Sequence, residues 1–355
     1  MVALNYVSKA VVTKSTNPIL EGIYISASQG SLTLYATDLE MSIYTHVKAA
    51  VFDTGSIVAP SKIFTEIVRK SPLDDISIET VDNKIKISSG ESEITINVYD
   101  SETYPSIPNA VFDNSIIIDN EKLSRAVKET IFAAASEDNM PVLTGILMEI
   151  ESDYLQLTAL DGYRMAIRKE SIDSKSSLTC VIPSRVLNEL FKILNIENIK
   201  DVYIKYNENK VHFKIGDTVI ISNLINRNFI KYKDIIPKNN NLTVNTNTNA
   251  LLNACDRASL VAREGKNNLI KFHIDEKFYI LSSSEIGSAI ESVDSQINGT
   301  DLKISFNSKY FTDVLKNIEE ENIVLYFIDN LSPCVIKSQN NEDMLHVILP
   351  VRYKD

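Results

Sequence analysis

The run Leu160-Asp161-Gly162-Tyr163-Arg164-Met165 holds a carboxylate, a phenol and a guanidinium within four positions. Such a trio could pass a proton, with the arginine orienting the acid. The sequence argues against that use. The acidic position recurs at Asp38 and Glu285, and neither has a tyrosine or arginine at the matching places. No catalytic residue is therefore expected, and the chain reads as a non-enzyme. Other chemistry is also missing. There is no Gly-x-x-x-x-Gly-Lys or Gly-x-Gly-x-x-Gly loop to cradle a nucleotide, and no Gly-x-Ser-x-Gly elbow. His46, His212, His273 and His346 each lie in a strand-like run without Cys or Glu at ligand spacing, so they read as structural, satisfied or exposed. Cys180, Cys255 and Cys334 stand far apart and read as buried thiols of a reducing compartment. No metal and no cofactor is expected.

The acidic positions belong to a longer pattern. Pro141-Val142-Leu143-Thr144-Gly145-Ile146 leads to Asp161, as Pro18-Ile19-Leu20-Glu21-Gly22-Ile23 leads to Asp38. A degraded third copy runs from Asn268 to Glu285. Ile57 to Phe64, Cys180 to Leu187 and Ile304 to Phe311 form a second matching set. Both sets give spacings of 123 and 124 residues. A period this long is domain-sized. It divides the 355 residues into copies at 1–114, 115–241 and 242–355.

Bulk properties set further bounds. With 44% hydrophobic and 23% charged residues the chain can bury a core. No apolar run is long enough to span a membrane, and no secretory leader is expected. The net charge of −11 disguises a partition: six helical stretches (1–14, 61–70, 121–136, 184–194, 247–266 and 308–318) together carry +8, leaving −19 elsewhere. Basic helices repeated in three copies would suit a sequence-blind surface for phosphates.

The elements follow from periodicity. Residues 3–13 read as a helix with Leu4, Val7 and Val11 on one stripe, and Pro18 starts a strand at 19–27. Strands are expected at 31–37, 41–50, 76–80, 84–88 and 93–98, and Ser61 is expected to cap a helix after Pro60. Copies 2 and 3 repeat this plan, with a meander at 201–206, 210–215 and 218–224, a linker from Phe229 to Pro237, and a last strand from Leu345 to Leu349. Each copy is an α+β unit of antiparallel sheet with two helices on one face.

At this point the residues resemble a known family. Asn17-Pro18-Ile19-Leu20, Ala36-Thr37-Asp38-Leu39-Glu40, Leu160-Asp161-Gly162-Tyr163-Arg164, the run from Asp256 to Gly265 and Ile348-Leu349-Pro350-Val351-Arg352 are similar to the beta sliding clamps, the processivity subunits of bacterial DNA polymerase III. The Asp256–Gly265 run most resembles clamps of low-GC Gram-positive bacteria. The resemblance covers essentially the whole chain. It implies three clamp domains with sheets outside and helices inside, closing into a ring as a head-to-tail homodimer around double-stranded DNA. It implies cytoplasmic, nucleoid-associated work. The implied partners are the replicative polymerase catalytic subunit, the clamp loader, repair polymerases and mismatch-repair proteins. A divergent, accessory scaffold that binds the same peptides without a stable ring is the alternative.

The resemblance implies DNA contacts at Lys14 and Arg185. Charge and period add Lys9, Lys62, Arg69, Lys122, Arg125, Lys128, Lys192, Arg257, Lys309 and Lys316. It implies a pocket for a short apolar peptide motif at Leu143, Leu160, Gly162, Tyr163, Arg164, Met165, Ile235, Leu331, Pro333, Val347, Leu349, Pro350, Val351 and Arg352. There the absent side chain of Gly162 would open room, and Arg164 and Arg352 could bond peptide carbonyls or an acidic flank. Tyr104 and Ile107 would meet Leu260 and Val261 of a second chain. Departures from the family pattern are a helix that starts almost at Met1, where a short strand is usual; Ile230 and Lys231 in place of Pro-Asp; Asp234 where some relatives have a cation; and Tyr163 where His is frequent. A missing first strand would leave a sheet edge open in the first domain.

Overall fold

The computed structural model describes residues 1–352 apart from 109, 138–139, 197–198, 266–267 and 341. Copy 1 comprises α1 (Val2–Val7), β1 (Gly22–Ser28), β2 (Ser31–Thr37), β3 (Met41–Lys48), β4 (Gly55–Pro60), α2 (Ser61–Arg69), β5 (Ser77–Val81), β6 (Lys84–Ser89) and β7 (Ser92–Asn97). Copy 2 comprises β8 (Ile116–Asp119), α3 (Asn120–Ile131), β9 (Gly145–Ile150), β10 (Tyr154–Leu160), β11 (Arg164–Ser171), β12 (Leu178–Pro183), α4 (Ser184–Leu194), β13 (Asp201–Tyr206), β14 (Lys210–Ile215) and β15 (Thr218–Asn223). Copy 3 comprises β16 (Leu242–Asn247), α5 (Thr248–Ala262), β17 (Leu269–Ile274), β18 (Phe278–Ser284), β19 (Gly287–Val293), β20 (Ser295–Gly299), β21 (Leu302–Asn307), α6 (Ser308–Asn317), β22 (Asn322–Phe327), β23 (Cys334–Ser338) and β24 (Met344–Ile348). The threefold α+β repeat read from the sequence is present.

Local chemistry explains most boundaries. Alternation in β14 buries Val211, Phe213 and Ile215 and turns Lys210, His212 and Lys214 outward. Asn247 and Asn307 cap α5 and α6 by accepting from the Ala250 and Lys309 amides. Ser61 does not cap α2; it is the first helical residue, after Pro60. The first helix is shorter than its stripe suggests. It ends at Val7, a 3₁₀ turn covers Ser8–Ala10, and the Val12 amide bonds the Leu20 carbonyl. The β-branched pair Val11-Val12 favours that extended continuation. Pro18–Glu21 is a 3₁₀ turn, so the first strand starts at Gly22. Gly22 and Gly145, 123 apart, hold close approaches: a Cβ would lie 2.4 Å from Val58 and 2.6 Å from Val181.

The chain forms two compact units, Met1–Asn120 with Glu189–Leu224 and Glu121–Asn188 with Ile225–Asp355. The division runs through copy 2 because its two half-sheets join different neighbours. In the first unit an eight-stranded sheet has the order β4-β1-β2-β3-β15-β14-β13-β8. Copy 1 thus continues into the second half of copy 2, with Ile43 opposite Ile220. In the second unit the order is β12-β9-β10-β11-β24-β23-β22-β16-β20, and Ala166 stands opposite His346. The rule is the same at both joints: the last strand of one copy's first half-sheet pairs with the last meander strand of the next copy. Two half-sheets are left over. The set β19-β18-β17-β21 ends at β19, and β5-β6-β7 ends at β7. Among the described residues β5 pairs only with β6, so the edge that β8 and β16 cover in the other copies is open. Copy 3 buries Phe272, Phe278, Phe306 and Phe311 in its core, and Phe272 meets Phe278 and Phe311 edge-on.

Candidate functional site

The Asp161 turn is a structural device. Its Oδ1 accepts from the Tyr163 and Arg164 amides at 2.9 and 3.0 Å, and its Oδ2 accepts from Arg164 Nε at 3.0 Å. Asp38 does the same for the Glu40 and Met41 amides. The acidic marker recurs because this hairpin needs an acceptor, not because it holds a proton in play. The residue after it takes positive φ in both copies, +74° at Leu39 and +84° at Gly162. A Cβ at Gly162 would meet nothing within 4 Å. Glycine is what the left-handed backbone requires here, and the space beside its Cα is open.

The peptide-pocket residues separate into a floor and a surface. Leu143, Leu160, Met165 and Val347 are buried in one cluster with Ala135, Val142, Leu147, Ile167, Val181, Tyr232 and Val335. Tyr163, Ile235, Leu331 and Leu349 are exposed, and Pro333, Pro350 and Val351 are half-buried. Sheet pairing gathers several of them. Met165 lies opposite Val347, the Leu349 amide bonds the Tyr163 carbonyl at 2.9 Å, and Val335 lies opposite Val347. Arg352 is exposed. Arg164 is held by partners within the fold. Its side chain is 8% exposed, paired with Asp161 and with Asp313 at 2.8 Å, and its guanidinium lies 4.8 Å from the Tyr310 ring centre and 5.5 Å from that of Phe132. Tyr163 stacks on Tyr310 at 5.5 Å. Sequence reading missed a flap over this cluster, in which Phe229, Ile230 and Ile236 pack on the floor and Tyr232 is buried. The apolar run Phe229-Ile230 was its only signal.

Most helix cations are already committed. Lys9 and Lys192 pair with Glu189, Arg69 with Glu66, Arg125 with Glu170, Lys128 with Glu319, Arg257 with Glu291 and Lys316 with Asp256. Lys122 donates to the Ser171 carbonyl. Other helix cations stand at the surface. Lys14, Lys62, Arg185 and Lys309 are exposed, and Lys14, Lys62 and Lys309 form no ion pair among the described residues. Lys62, Arg185 and Lys309 are the second residues of α2, α4 and α6.

Between copies 2 and 3 lies a buried charge cluster. Arg168 donates to Glu129 (3.0 Å), Glu170 (2.9 Å) and Glu320 (2.8 Å). Burial, with Glu320 and Glu319 adding repulsion against the pull of Arg168, pushes the Glu129 carboxyl up to about 8. His346 is fully buried, and neither ring nitrogen has a hydrogen-bond partner among the described residues. The reading of every histidine as satisfied or exposed fails there. Burial and Arg168 push it down to about 3, so it stays neutral. The three cysteines are free and buried, as expected.

Of the expected seam residues, Tyr104 is interior to copy 1. Its hydroxyl donates to the Gly22 carbonyl at 3.1 Å, its ring touches Tyr24 and Tyr35, and Ile107 packs on the same cluster. Leu260 is 63% exposed and Val261 half-buried. The surface of copy 1 that was not foreseen is a groove lined by Ile63, Glu66, Ile67, Ile87 and Ile94.

Family models for the DNA polymerase III beta subunit match three successive stretches: the N-terminal domain at 1–108, the central domain at 117–231 and the C-terminal domain at 233–352. The chain belongs to this family. It is 34% identical to the beta sliding clamp of Staphylococcus aureus, over 98% of this chain and 96% of that one. It is 36% identical to the beta sliding clamp of Bacillus subtilis, over 98% and 95%. The crystal structure of the Bacillus subtilis clamp superposes with a TM-score of 0.94 at 34% identity, over 99% of this chain and 97% of that one. A Pseudomonas aeruginosa sliding clamp bound to griselimycin superposes at 0.91 with 25% identity, over 99% and 96%. The family's plan agrees with the joints seen here, and no helix among the described residues is long and apolar enough to cross a membrane.

Proposed function

We propose that this chain is a non-catalytic, cytoplasmic sliding clamp. Two copies close head to tail into a ring around duplex DNA, with helices inward, and tether the replicative polymerase, the clamp loader and repair proteins. The pair of leftover edges carries this reading. Each first half-sheet joins the next copy's meander, so the partner that β19 lacks is a meander like β5-β6-β7, and β7 lacks a first half-sheet like that of β19. A second chain supplies both. Transferring the register of the internal joints sets Ala289 opposite Ile94 and Glu291 opposite Ser92. Leu260 corresponds to Phe132, whose ring lies 5.9 Å from His346, the counterpart of Ile94. Leu260 of one chain would then cover Ile94 and Ile63 of the other. The seam passes from Tyr104 and Ile107 to these residues, with Leu260 and Val261 retained. Isologous pairing is not needed, since two such heterologous contacts close a ring.

Lys62, Arg185 and Lys309 support DNA inside that ring. A cation at a helix N-terminus opposes the macrodipole at a cost of about 0.3–1 kcal/mol. Lys62 and Lys309, which form no ion pair among the described residues, suit an external anion such as phosphate. Lys14 joins this set. Topology then provides retention, so weak contacts suffice. The apolar patch at Tyr163, Ile235, Leu331 and Leu349 takes short apolar peptides, and griselimycin, bound by the Pseudomonas aeruginosa relative, is a ready probe for it. The test is retention after loading onto nicked circular DNA. Protein should stay with the circle through gel filtration and leave when the DNA is cut to a linear form. Equal retention on both forms would exclude encirclement.

A further inference from the structure

We infer that the seam is the unlocked joint of the ring: it lacks the ion pair that crosses each internal joint, and the residue at position 260 is the reason. This rests on the reading of the chain as a ring of two copies. One acid holds the same place in all three copies, as the sixth residue of the second helix: Glu66 in α2, Glu189 in α4 and Asp313 in α6. At the first internal joint Lys9 of copy 1 meets Glu189 of copy 2 at 2.9 Å. At the second, Arg164 of copy 2 meets Asp313 of copy 3 at 2.8 Å. None of these four side chains is more than 28% exposed, so both pairs are largely withdrawn from water.

Copy 3 offers the seam neither cation. The place of Lys9 in copy 1 is held by Phe132 in copy 2 and by Leu260 in copy 3. The register used for the seam gives the place of Arg164 to Gly287. Arg257, one turn before Leu260, is held by Glu291 at 2.6 Å. Glu66 is balanced from its own helix instead, by Arg69 and Lys70. It lines the groove of Ile63, Ile67 and Ile94 that Leu260 would enter. Parting an internal joint would take the partner from a half-buried charge on each side, which is costly. Parting the seam uncovers Leu260 and the isoleucines but leaves no charge alone, because Arg69 and Lys70 move with Glu66. A ring that admits circular DNA must part at one joint and hold the others shut, and the missing pair makes the seam that joint.

The experiment restores the pair at the seam and removes it from an internal joint, in the full-length protein. Leu260→Lys keeps an aliphatic stem over the isoleucines and brings an ammonium to Glu66 of the second chain, as Lys9 does to Glu189. Light scattering across a dilution series reads the dimer. Adding Glu66→Gln should weaken the Leu260→Lys dimer at least about fivefold, while Glu66→Gln alone should change the parent dimer by less than about twofold. Leu260→Lys should also stay on nicked circular DNA longer than Leu260→Lys/Glu66→Gln. Lys9→Leu makes the converse change at the first joint. The amides of β15, which pairs with β3, should then exchange hydrogen at least about fivefold faster, with the dimeric mass retained. A Leu260→Lys dimer indifferent to Glu66→Gln, or unaltered exchange in Lys9→Leu, would overturn the inference alone. An unmodified protein that is monomeric from nanomolar to micromolar would overturn the ring reading beneath it.

Discussion

Leu260 gives the most direct test of the ring. In one chain its side chain is 63% exposed, and in the proposed seam it would be covered by Ile94 and Ile63. Full burial of a leucine is worth about 1.5–3 kcal/mol, so roughly two thirds of that, about 1–2 kcal/mol, is available at each seam. A ring has two seams, and Leu260→Ala removes this packing from both. Dimerisation should weaken by about 2–4 kcal/mol, or roughly 30- to 800-fold in Kd. Leu260→Asp adds the cost of burying a carboxylate and should give monomers at all practical concentrations. Light scattering across a dilution series from micromolar to nanomolar reads both. The fold should not suffer, because the residue is exposed in the single chain, and circular dichroism checks this. Ile94→Asp, on the opposite edge, should reproduce the effect. A dilution curve for Leu260→Asp that matches the unmodified protein would refute the seam, as would a dimeric Ile94→Asp beside a monomeric Leu260→Asp.

Replacing Lys62, Arg185 and Lys309 together by glutamine should flatten the dependence of DNA affinity on salt, by about 0.9 in log–log slope for each phosphate no longer neutralised; an unchanged slope would remove these residues from the DNA surface. Glu129 is held near 8 against an ordinary 4.5, so the folded state binds its proton more tightly. Its stabilisation is complete below the ordinary value and drains as pH rises to about 8, at up to about 1.4 kcal/mol per unit. Thermal melts of Glu129→Gln should therefore show a flatter decline between about pH 5 and pH 9 than the parent, and parallel declines would place the titration elsewhere. At the hairpin turn, Gly162→Ala should destabilise by about 1–2 kcal/mol through backbone strain alone, while Leu39→Gly at the matching position should stabilise by a similar amount. Denaturant melts in which both changes are neutral would contradict the assigned φ values.

The residues themselves made the copies legible. Asp38 and Asp161 repeat because each closes the same turn through its own side chain, and Gly22 and Gly145 repeat because each lets two strands approach. Alternation and helical stripes are set by neighbours in sequence, so β10, β14, α4 and α6 could be read without any partner. The apolar C-terminal run was legible for the same reason, and Val347 and Met165 do meet beneath the patch.

What the sequence alone left open is set by long-range pairing. Charge counting cannot tell a free lysine from one held by a distant carboxylate, so Arg125 and Lys128 looked available until Glu170 and Glu319 came beside them. The pairing of Arg164 with Asp313, 149 residues away, was likewise invisible. Tyr104 sat near a domain end and read as surface, but the Gly22 carbonyl and two tyrosine rings enclose it. The three copies were determined by the chain's own order. Which half-sheet joins which was decided only by tertiary structure, because a strand's face is written in its alternating side chains while its edge is backbone, which every residue shares.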